Sequence, residues 1–321
     1  MLVLHEQDVA GLLTMGEAIE ALESAFRSQA AGRAVNRPRV HVRLPDEGLG
    51  LQLLAGAVHA EGTGGLLGFK VLVPAKTGAR FVVLLSADSG RALCMIEAGR
   101  LGQLRTGAAT GVATKAMAAA GAASVGLFGA GLQAETQLEA ICAVRQIRQA
   151  LVYSPTPEKR EAFAARMAER LGIEVVAVDA PEKAAHAEVL VTATNSTTPV
   201  LQGEWITPGT HINAIGANSL ARRELDDAAV LKCATIVVDS REQALDESLE
   251  IVSPLQAQGI TPDRVWELHE VVSGARAGRQ HPHDITLFKS LGIGLEDVAV
   301  AALVYSKALE QKRGEQVHLF D

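Results

Sequence analysis

Ala122-Ala-Ser-Val-Gly-Leu-Phe-Gly-Ala-Gly-Leu-Gln-Ala134 is the stretch that decides the fold. Ser124 to Phe128 reads as a short buried strand. Gly129-x-Gly131-x-x-Ala134 follows at once, and Glu135 to Gln149 reads as a helix with Leu138, Ile141, Val144 and Ile147 on one face. Strand, glycine turn and helix together are the context in which this spacing signals dinucleotide binding. Gly129 permits the tight turn, Gly131 lets the main chain approach a pyrophosphate, and Ala134 lets the helix pack close to the strand. Unpaired N–H groups at the helix start then face the phosphates. Gly129, Ala130, Gly131, Leu132 and Gln133 are therefore the first candidate cofactor contacts. The bland alternative is a tight turn of the kind found in any α/β protein.

The acidic residue that would grip an NAD ribose about twenty positions on is missing. The next strand, Ala150 to Tyr153, runs into Ser154-Pro-Thr-Pro-Glu-Lys-Arg160. Ser154 and Thr156 can donate to a 2′-phosphate, and Lys159 or Arg160 can supply charge, so NADP(H) is preferred and NAD(H) remains possible. Thr156 also suits the N-cap of the next helix, with Pro157 at its first position.

The 321 residues are enough for two domains. An apolar share of 48% with 21% charged residues is that of a globular chain. A net charge of −7 gives no electrostatic case for nucleic acid. No apolar run is long enough for a membrane span. The first residues lack the basic and apolar regions of a signal peptide. Cys94, Cys142 and Cys233 are scattered and lack metal spacing, so no metal is expected and a reducing cytoplasm is the expected compartment.

Working outward, Thr14-Met-Gly-Glu17 is a capping box that opens a helix with Ile19, Leu22 and Phe26 on one face. Arg39–Leu44, Leu51–Leu54, Leu67–Val73, Phe81–Leu85 and Ala92–Ile96 follow as short strands. Turn signals at Pro45-Asp46, Gly62 to Gly65, Lys76 to Gly78 and Asp88 to Gly90 predict a largely antiparallel sheet. In the first strand Val40, Val42 and Leu44 face one way and Arg39, His41 and Arg43 the other. A small-residue helix from Leu104 to Ala120 leads into the glycine turn. Strands recur at Ile173–Val178, Glu188–Ala193, His211–Ile215 and Thr235–Val238. That makes six strands in βα alternation and predicts a parallel, doubly wound sheet. Trp266 and Leu268 suggest a helix. The segment from Asp284 leads into a late amphipathic helix through Val298–Val304, with a polar peripheral tail after Lys307.

A nicotinamide enzyme needs groups that hold its substrate, because the cofactor carries the redox chemistry. The chain has neither His/Cys clusters at ligand spacing nor a G-x-S-x-G elbow. The candidates are cations able to grip a carboxylate: Arg39, Lys70, which interrupts an apolar strand, and Arg105, which opens a helix against its dipole. For each taken singly, a solvated or salt-bridged surface role is the competing reading.

Leu101-Gly-Gln-Leu-Arg-Thr-Gly-Ala-Ala109, the Gly129–Ala134 turn, Thr194-Asn-Ser-Thr-Thr-Pro-Val200, Ala214-Ile-Gly-Ala-Asn218 with Arg223-Glu-Leu-Asp226, and Ile285-Thr-Leu-Phe-Lys-Ser-Leu-Gly292 together resemble the ornithine cyclodeaminase/μ-crystallin family, nearly end to end. The resemblance implies an α/β fold with a Rossmann doubly wound parallel sheet (107–289), inserted in an α+β substrate-binding and dimerisation domain (1–106 plus 290–321), hence a homodimer. It implies that Arg39, Lys70 and Arg105 serve the substrate carboxylate and amine site. Gln52 falls where cyclodeaminases carry a Glu, and Asn218 where they carry a proton-handling Asp. It places Thr106, Ser154, Thr156, Arg160, Thr194, Asn195 and Lys289 with the cofactor. Pro155 replaces the Arg of NADP-binding relatives, which weakens the expected 2′-phosphate contacts.

The family holds lyases that cyclise ornithine and reductases of imino acids. An amide cannot gain or lose a proton near neutral pH, so Asn218 can orient an imine nitrogen but cannot shuttle protons while ammonia leaves. An N-cap of a helix carrying Arg222 to Asp226 is its structural alternative. The expected activity is NAD(P)H-dependent reduction of a small cyclic 2-imino acid, Δ1-pyrroline-2-carboxylate or Δ1-piperideine-2-carboxylate, to L-proline or L-pipecolate. Lys70 and Asn218 would carry the catalytic roles. The alternatives are an ornithine cyclodeaminase, an alanine-dehydrogenase-like enzyme, or a non-catalytic NADPH-dependent ligand-binding protein.

Overall fold

The computed structural model describes residues 1–44, 46, 48–60 and 64–318. The expected turns at Pro45 and Gly62 lie outside the described residues. The chain divides into two compact units, Met1–Thr106 with Ile293–Asp321, and Gly107–Gly292.

The first unit begins with β1 (Leu2–Leu4), α1 (Glu6–Leu12) and α2 (Met15–Ala30). The capping box at the start of α2 is present: Thr14 Oγ1 accepts from the Glu17 N–H, and the Glu17 carboxylate accepts from the Thr14 N–H. Ile19, Leu22 and Phe26 are buried as their spacing predicts. Strands β2 (Ala34–Asn36), β3 (Val40–Arg43), β4 (Gly50–Ala60), β5 (Gly64–Leu72), β6 (Arg80–Ser86) and β7 (Ala92–Glu97) follow, then α3 (Gly99–Met117). The sheet order is β16-β1-β7-β6-β5-β4-β2, with β3 also on β4 and β16 being Glu315–Gln316. It is antiparallel except for the parallel β1–β7 pair. The tail is thus less peripheral than expected, because β16 pairs with β1.

The chain then enters the second unit through β8 (Ser124–Phe128), α4 (Leu132–Val144), β9 (Gln149–Tyr153), α5 (Pro157–Leu171), β10 (Glu174–Ala177), α6 (Pro181–Ala184), β11 (Val189–Thr192) and β12 (His211–Ala214). It continues through α7 (Asp227–Leu231), β13 (Thr235–Val238), α8 (Arg241–Glu247), α9 (Leu249–Gln256), β14 (Val265–Glu267), α10 (Leu268–Val272) and β15 (Thr286–Lys289). The order is β10-β9-β8-β11-β12-β15-β13-β14, and every pair is parallel. This is a Rossmann-type doubly wound sheet. Its switch point lies at β8, where the chain leaves toward β9 on one side and β11 on the other.

The sheet has eight strands, not the expected six. Trp266 lies in β14, before the short α10, and Thr286–Lys289 forms β15 rather than an approach to the last helix. Both strands are short, and β15 is buried along its whole length. A strand covered on both faces has no alternation to read.

The chain returns to the first unit with α11 (Gly294–Gln311). This helix packs on the sheet face that carries Leu54, Leu66 and Val82. A Cβ on Gly294 would lie 2.5 Å from the Ala55 carbonyl oxygen, so only glycine lets the helix start approach β4 this closely. The opposite face carries exposed Val35 and Leu67 over a cavity of about 450 Å³, lined by Leu53, Ala55, Ala57 and Phe69. Val40, Val42 and Leu44 are exposed as well.

Candidate active site

In the first unit, the close approach of α11 puts Glu296 and Asp297 in its first turn, fully buried under the sheet. Acidic side chains are favoured there by the helix dipole. Lys70, on the inward face of β5, is 4% exposed, and its Nζ donates to both Asp297 carboxylate oxygens at 2.9 and 3.1 Å. Arg105, 7% exposed, donates from Nε to Asp297 at 2.9 Å and from Nη1 to Glu296 at 2.8 Å. Arg105 is the seventh residue of α3 rather than its opening residue. The expected dipole conflict is therefore absent, and two buried carboxylates hold its guanidinium instead.

Arg39 lies just before β3, near enough to press on the charge of Lys70. The Lys70 ammonium is lowered from 10.5 to about 8. Burial is the largest cause, followed by repulsion from Arg105, with Asp297 opposing both. Lys70 and Arg105 thus meet two buried carboxylates, with the half-buried Arg39 close to Lys70. Gln52 stands on the same sheet face: it pairs with Leu72 while Leu54 pairs with Lys70, so Gln52 is the diagonal neighbour of Lys70. Its Oε1 is buried without a protein partner. Thr106 Oγ1 donates to the Gly102 carbonyl within α3.

In the second unit, the glycine turn joins β8 to α4, which starts at Leu132, three residues before the expected Glu135. Gly129 has φ +116°, and a Cβ there would lie 2.5 Å from the Ala193 carbonyl oxygen. Gly131 is the N-cap and offers no side-chain cap bond, and a Cβ there would meet nothing within 4 Å. Gln133 Oε1, in the first turn, is buried without a protein partner. Open space over bare helix N–H groups fits a pyrophosphate. After β9, Ser154 is buried and Arg160 donates to its carbonyl at 3.0 Å. Thr156 is the N-cap of α5, but its side chain makes no cap bond, leaving the hydroxyl for another acceptor.

Three readings of the second unit are corrected. Arg222 to Asp226 is not helical. The helix there is α7, and its N-cap is Asp226, whose carboxylate accepts from Ala229 at 2.8 Å. Asn218 lies in the loop after β12 and caps nothing. Lys289, expected at the cofactor, is fully buried at the end of β15. Its Nζ donates to the Ala214 and Ala217 carbonyls and lies 3.9 Å from Glu250. It holds the loop that carries Asn218. Thr194 is engaged too, donating from N and Oγ1 to Glu224 at 2.6 and 2.8 Å, while Asn195 is exposed.

Sequence reasoning assigned no role to Glu296, Asp297, Glu224 or Glu250. The available signal was a pair of acids at the start of an otherwise apolar helix and a glutamate inside an apolar stretch. Among the described residues, no group of three or more His, Cys, Asp or Glu could hold a metal ion.

A parallel sheet with a glycine turn at its switch point, in a chain whose other unit buries a lysine and an arginine on one aspartate, defines a Rossmann-type α/β protein with a buried ion-pair cluster. The chain belongs to the ornithine cyclodeaminase/mu-crystallin family, which it matches over residues 1–312. It is 34% identical to a Δ1-pyrroline-2-carboxylate reductase of Bacillus cereus, with 99% of each chain covered. Among solved structures, it is similar to the Thermococcus litoralis Δ1-pyrroline-2-carboxylate reductase in complex with NADH and L-proline. That likeness has a TM-score of 0.93 and 36% identity over 99% of this chain and 100% of the other. It is also similar to an archaeal alanine dehydrogenase dimer with bound NAD, with a TM-score of 0.91 and 35% identity over 100% of this chain and 99% of the other.

Proposed function

We propose that this protein is an NAD(P)H-dependent ketimine reductase. Its substrate would be a small cyclic 2-imino acid, Δ1-pyrroline-2-carboxylate or its six-membered homologue, and its product L-proline or L-pipecolate. The observation that carries this reading is the buried Lys70–Asp297–Arg105 cluster, which holds two cations in fixed geometry beside Arg39. Relatives that reduce the five-membered imine support it. Arg39, Lys70 and Arg105 bind the carboxylate. Lys70 Nζ, still largely protonated near neutral pH, or water supplies a proton to the imine nitrogen when it arrives neutral. Asn218 orients that nitrogen by hydrogen bonding, and Gln52 flanks the ring.

The first unit is the substrate and dimerisation domain, and Gly107–Gly292 is the dinucleotide domain. Bound at Gly129–Gln133, the nicotinamide cofactor supplies the hydride that reduces C2. NADP(H) is the preferred form, because Ser154 rather than an acid stands directly after β9 and the Ser154–Arg160 segment offers hydroxyls and a guanidinium. NAD(H), which the solved relatives bind, is also accepted. The exposed apolar face over the cavity supports a homodimer. The cytoplasm is the proposed compartment. Its support is that all three cysteines are free and that no described helix is long and apolar enough to cross a membrane.

The test is a panel of imino and amino acids with each cofactor. Consumption of NADPH with Δ1-pyrroline-2-carboxylate or its six-membered homologue, and no ammonia from L-ornithine, is the expected result. Robust ammonia release from ornithine without imine reduction would restore the lyase reading. Reductive amination of pyruvate alone would favour the alanine dehydrogenase that the archaeal relative represents.

A further inference from the structure

The second unit contains a buried carboxylate that the proposed chemistry does not use. Glu224 is fully buried, and its two oxygens accept from five donors. Oε1 takes the Thr194 N–H at 2.6 Å and the Thr194 hydroxyl at 2.8 Å. Oε2 takes the Gly216 N–H at 2.7 Å, the Ala217 N–H at 3.2 Å and the Thr192 hydroxyl at 3.0 Å. One side chain therefore ties the turn after β11 to the turn after β12. Charge-assisted bonds to main-chain N–H groups are among the stronger polar contacts in a protein.

The surroundings reinforce this role. A Cβ on Gly216 would lie 2.5 Å from Glu224 Oε1, so the β12 turn can close on the carboxylate only as glycine. The Glu224 N–H donates to Glu250 at 2.9 Å, and Glu250 faces the Lys289 ammonium. Lys289 in turn grips the Ala214 and Ala217 carbonyls. The segment preceding Asn218 is held through its N–H groups by Glu224 and through its carbonyls by Lys289. The same turn after β11 brings the Ala193 carbonyl against Gly129 of the glycine turn. All three turns lie at the carboxyl ends of β8, β11 and β12, beside the switch point, where such sheets bind their ligands.

We infer that Glu224 is a positioning residue for the nicotinamide end of the dinucleotide, acting through the Thr194 and Gly216–Asn218 turns rather than by contact. The inference rests on the dinucleotide-binding reading of this unit. Its prediction is a split between two ends of one ligand. The ADP-ribose end is held by the Gly129–Gln133 turn and should be indifferent to Glu224. The nicotinamide end should not be.

The test uses Glu224→Gln, which keeps the shape but turns one acceptor into a donor facing other donors. NADPH binding is followed by reduced-nicotinamide fluorescence without substrate, and 2′-phospho-ADP-ribose binding by calorimetry. Weakening of NADPH by about 10- to 100-fold, with the fragment unchanged within about twofold, is expected. Thr192→Val removes one donor to Glu224 and serves if the first variant does not fold; it should show the same split at smaller size. On kcat/KM for the imine, Glu224→Gln and Asn218→Ala should be non-additive. Equal weakening of NADPH and the fragment, or no weakening of either, would overturn the inference. No binding of NADPH or the fragment by the unmodified protein would overturn the dinucleotide reading and the inference together.

Discussion

Lys70 Nζ donates to both carboxylate oxygens of Asp297 across 227 residues of chain, and the same aspartate receives Nε of Arg105. One acid therefore fixes the spacing of the two cations proposed to bind the substrate carboxylate. Removing its charge leaves buried cations under-compensated, which costs about 3–5 kcal/mol in comparable buried pairs. Asp297→Asn should be destabilised on that scale in urea unfolding and should lose kcat/KM for the imine. Unchanged unfolding would show that the pair contributes no net stability.

The Lys70 ammonium, lowered to about 8, has consequences of opposite sign for folding and function. Between pH 8 and the ordinary 10.5, the unfolded chain holds a proton that the folded chain has shed. Stability from this group therefore rises with pH across that window. The proposed carboxylate binding needs the cation, so kcat/KM should fall as pH passes about 8 while the fold is retained. Lys70→Arg keeps its charge throughout and should abolish that limb even if its rate is lower. A limb that survives in Lys70→Arg would assign the titration to another group.

Arg105 donates through two different nitrogens to Glu296 and Asp297, a geometry that an ammonium cannot copy. Arg105→Lys should lower kcat/KM by one to three orders of magnitude, on the order of 1.4–4 kcal/mol. Steady-state kinetics at saturating cofactor would check this. Wild-type kinetics in Arg105→Ala would leave the residue a purely structural ion-pair partner.

Ser154 follows β9 directly, where a ribose-binding acid would stand, with Arg160 on its carbonyl. NADPH should exceed NADH in kcat/KM, and Ser154→Asp should reverse the order by repelling the 2′-phosphate. A preference for NADH in the unmodified enzyme would contradict the proposal.

Val35 and Leu67, both exposed on the outer face of the first unit's sheet, should lie in a dimer interface. Light scattering at micromolar concentration should give a dimer for the unmodified chain and a monomer for the Val35→Asp/Leu67→Asp double variant. A monomeric unmodified protein would rule out that interface.

The glycine turn was legible in the sequence because each of its requirements is local. Gly129 needs a positive φ, the N-cap needs no side chain, and a helix must follow directly. The α2 capping box was legible for the same reason, since Thr14 and Glu17 bond each other within one turn. The cation candidates were visible only as anomalies, such as Lys70 in an apolar strand, because a charge in such a setting needs a partner that sequence cannot name.

Only the tertiary structure supplied those partners. Asp297 and Glu296 reach Lys70 and Arg105 because Gly294 lets α11 lie against β4, a contact between segments more than two hundred residues apart. Glu224 joins Thr194 to Gly216 because parallel pairing sets β11 beside β12. Strand β15 went unread because burial on both faces erases the alternation that marks a strand, and β14 because three residues are too few to show a period. Local stereochemistry is written residue by residue in the chain. The pairing of buried charges depends on which distant segments pack together, and the folded sheets decide that.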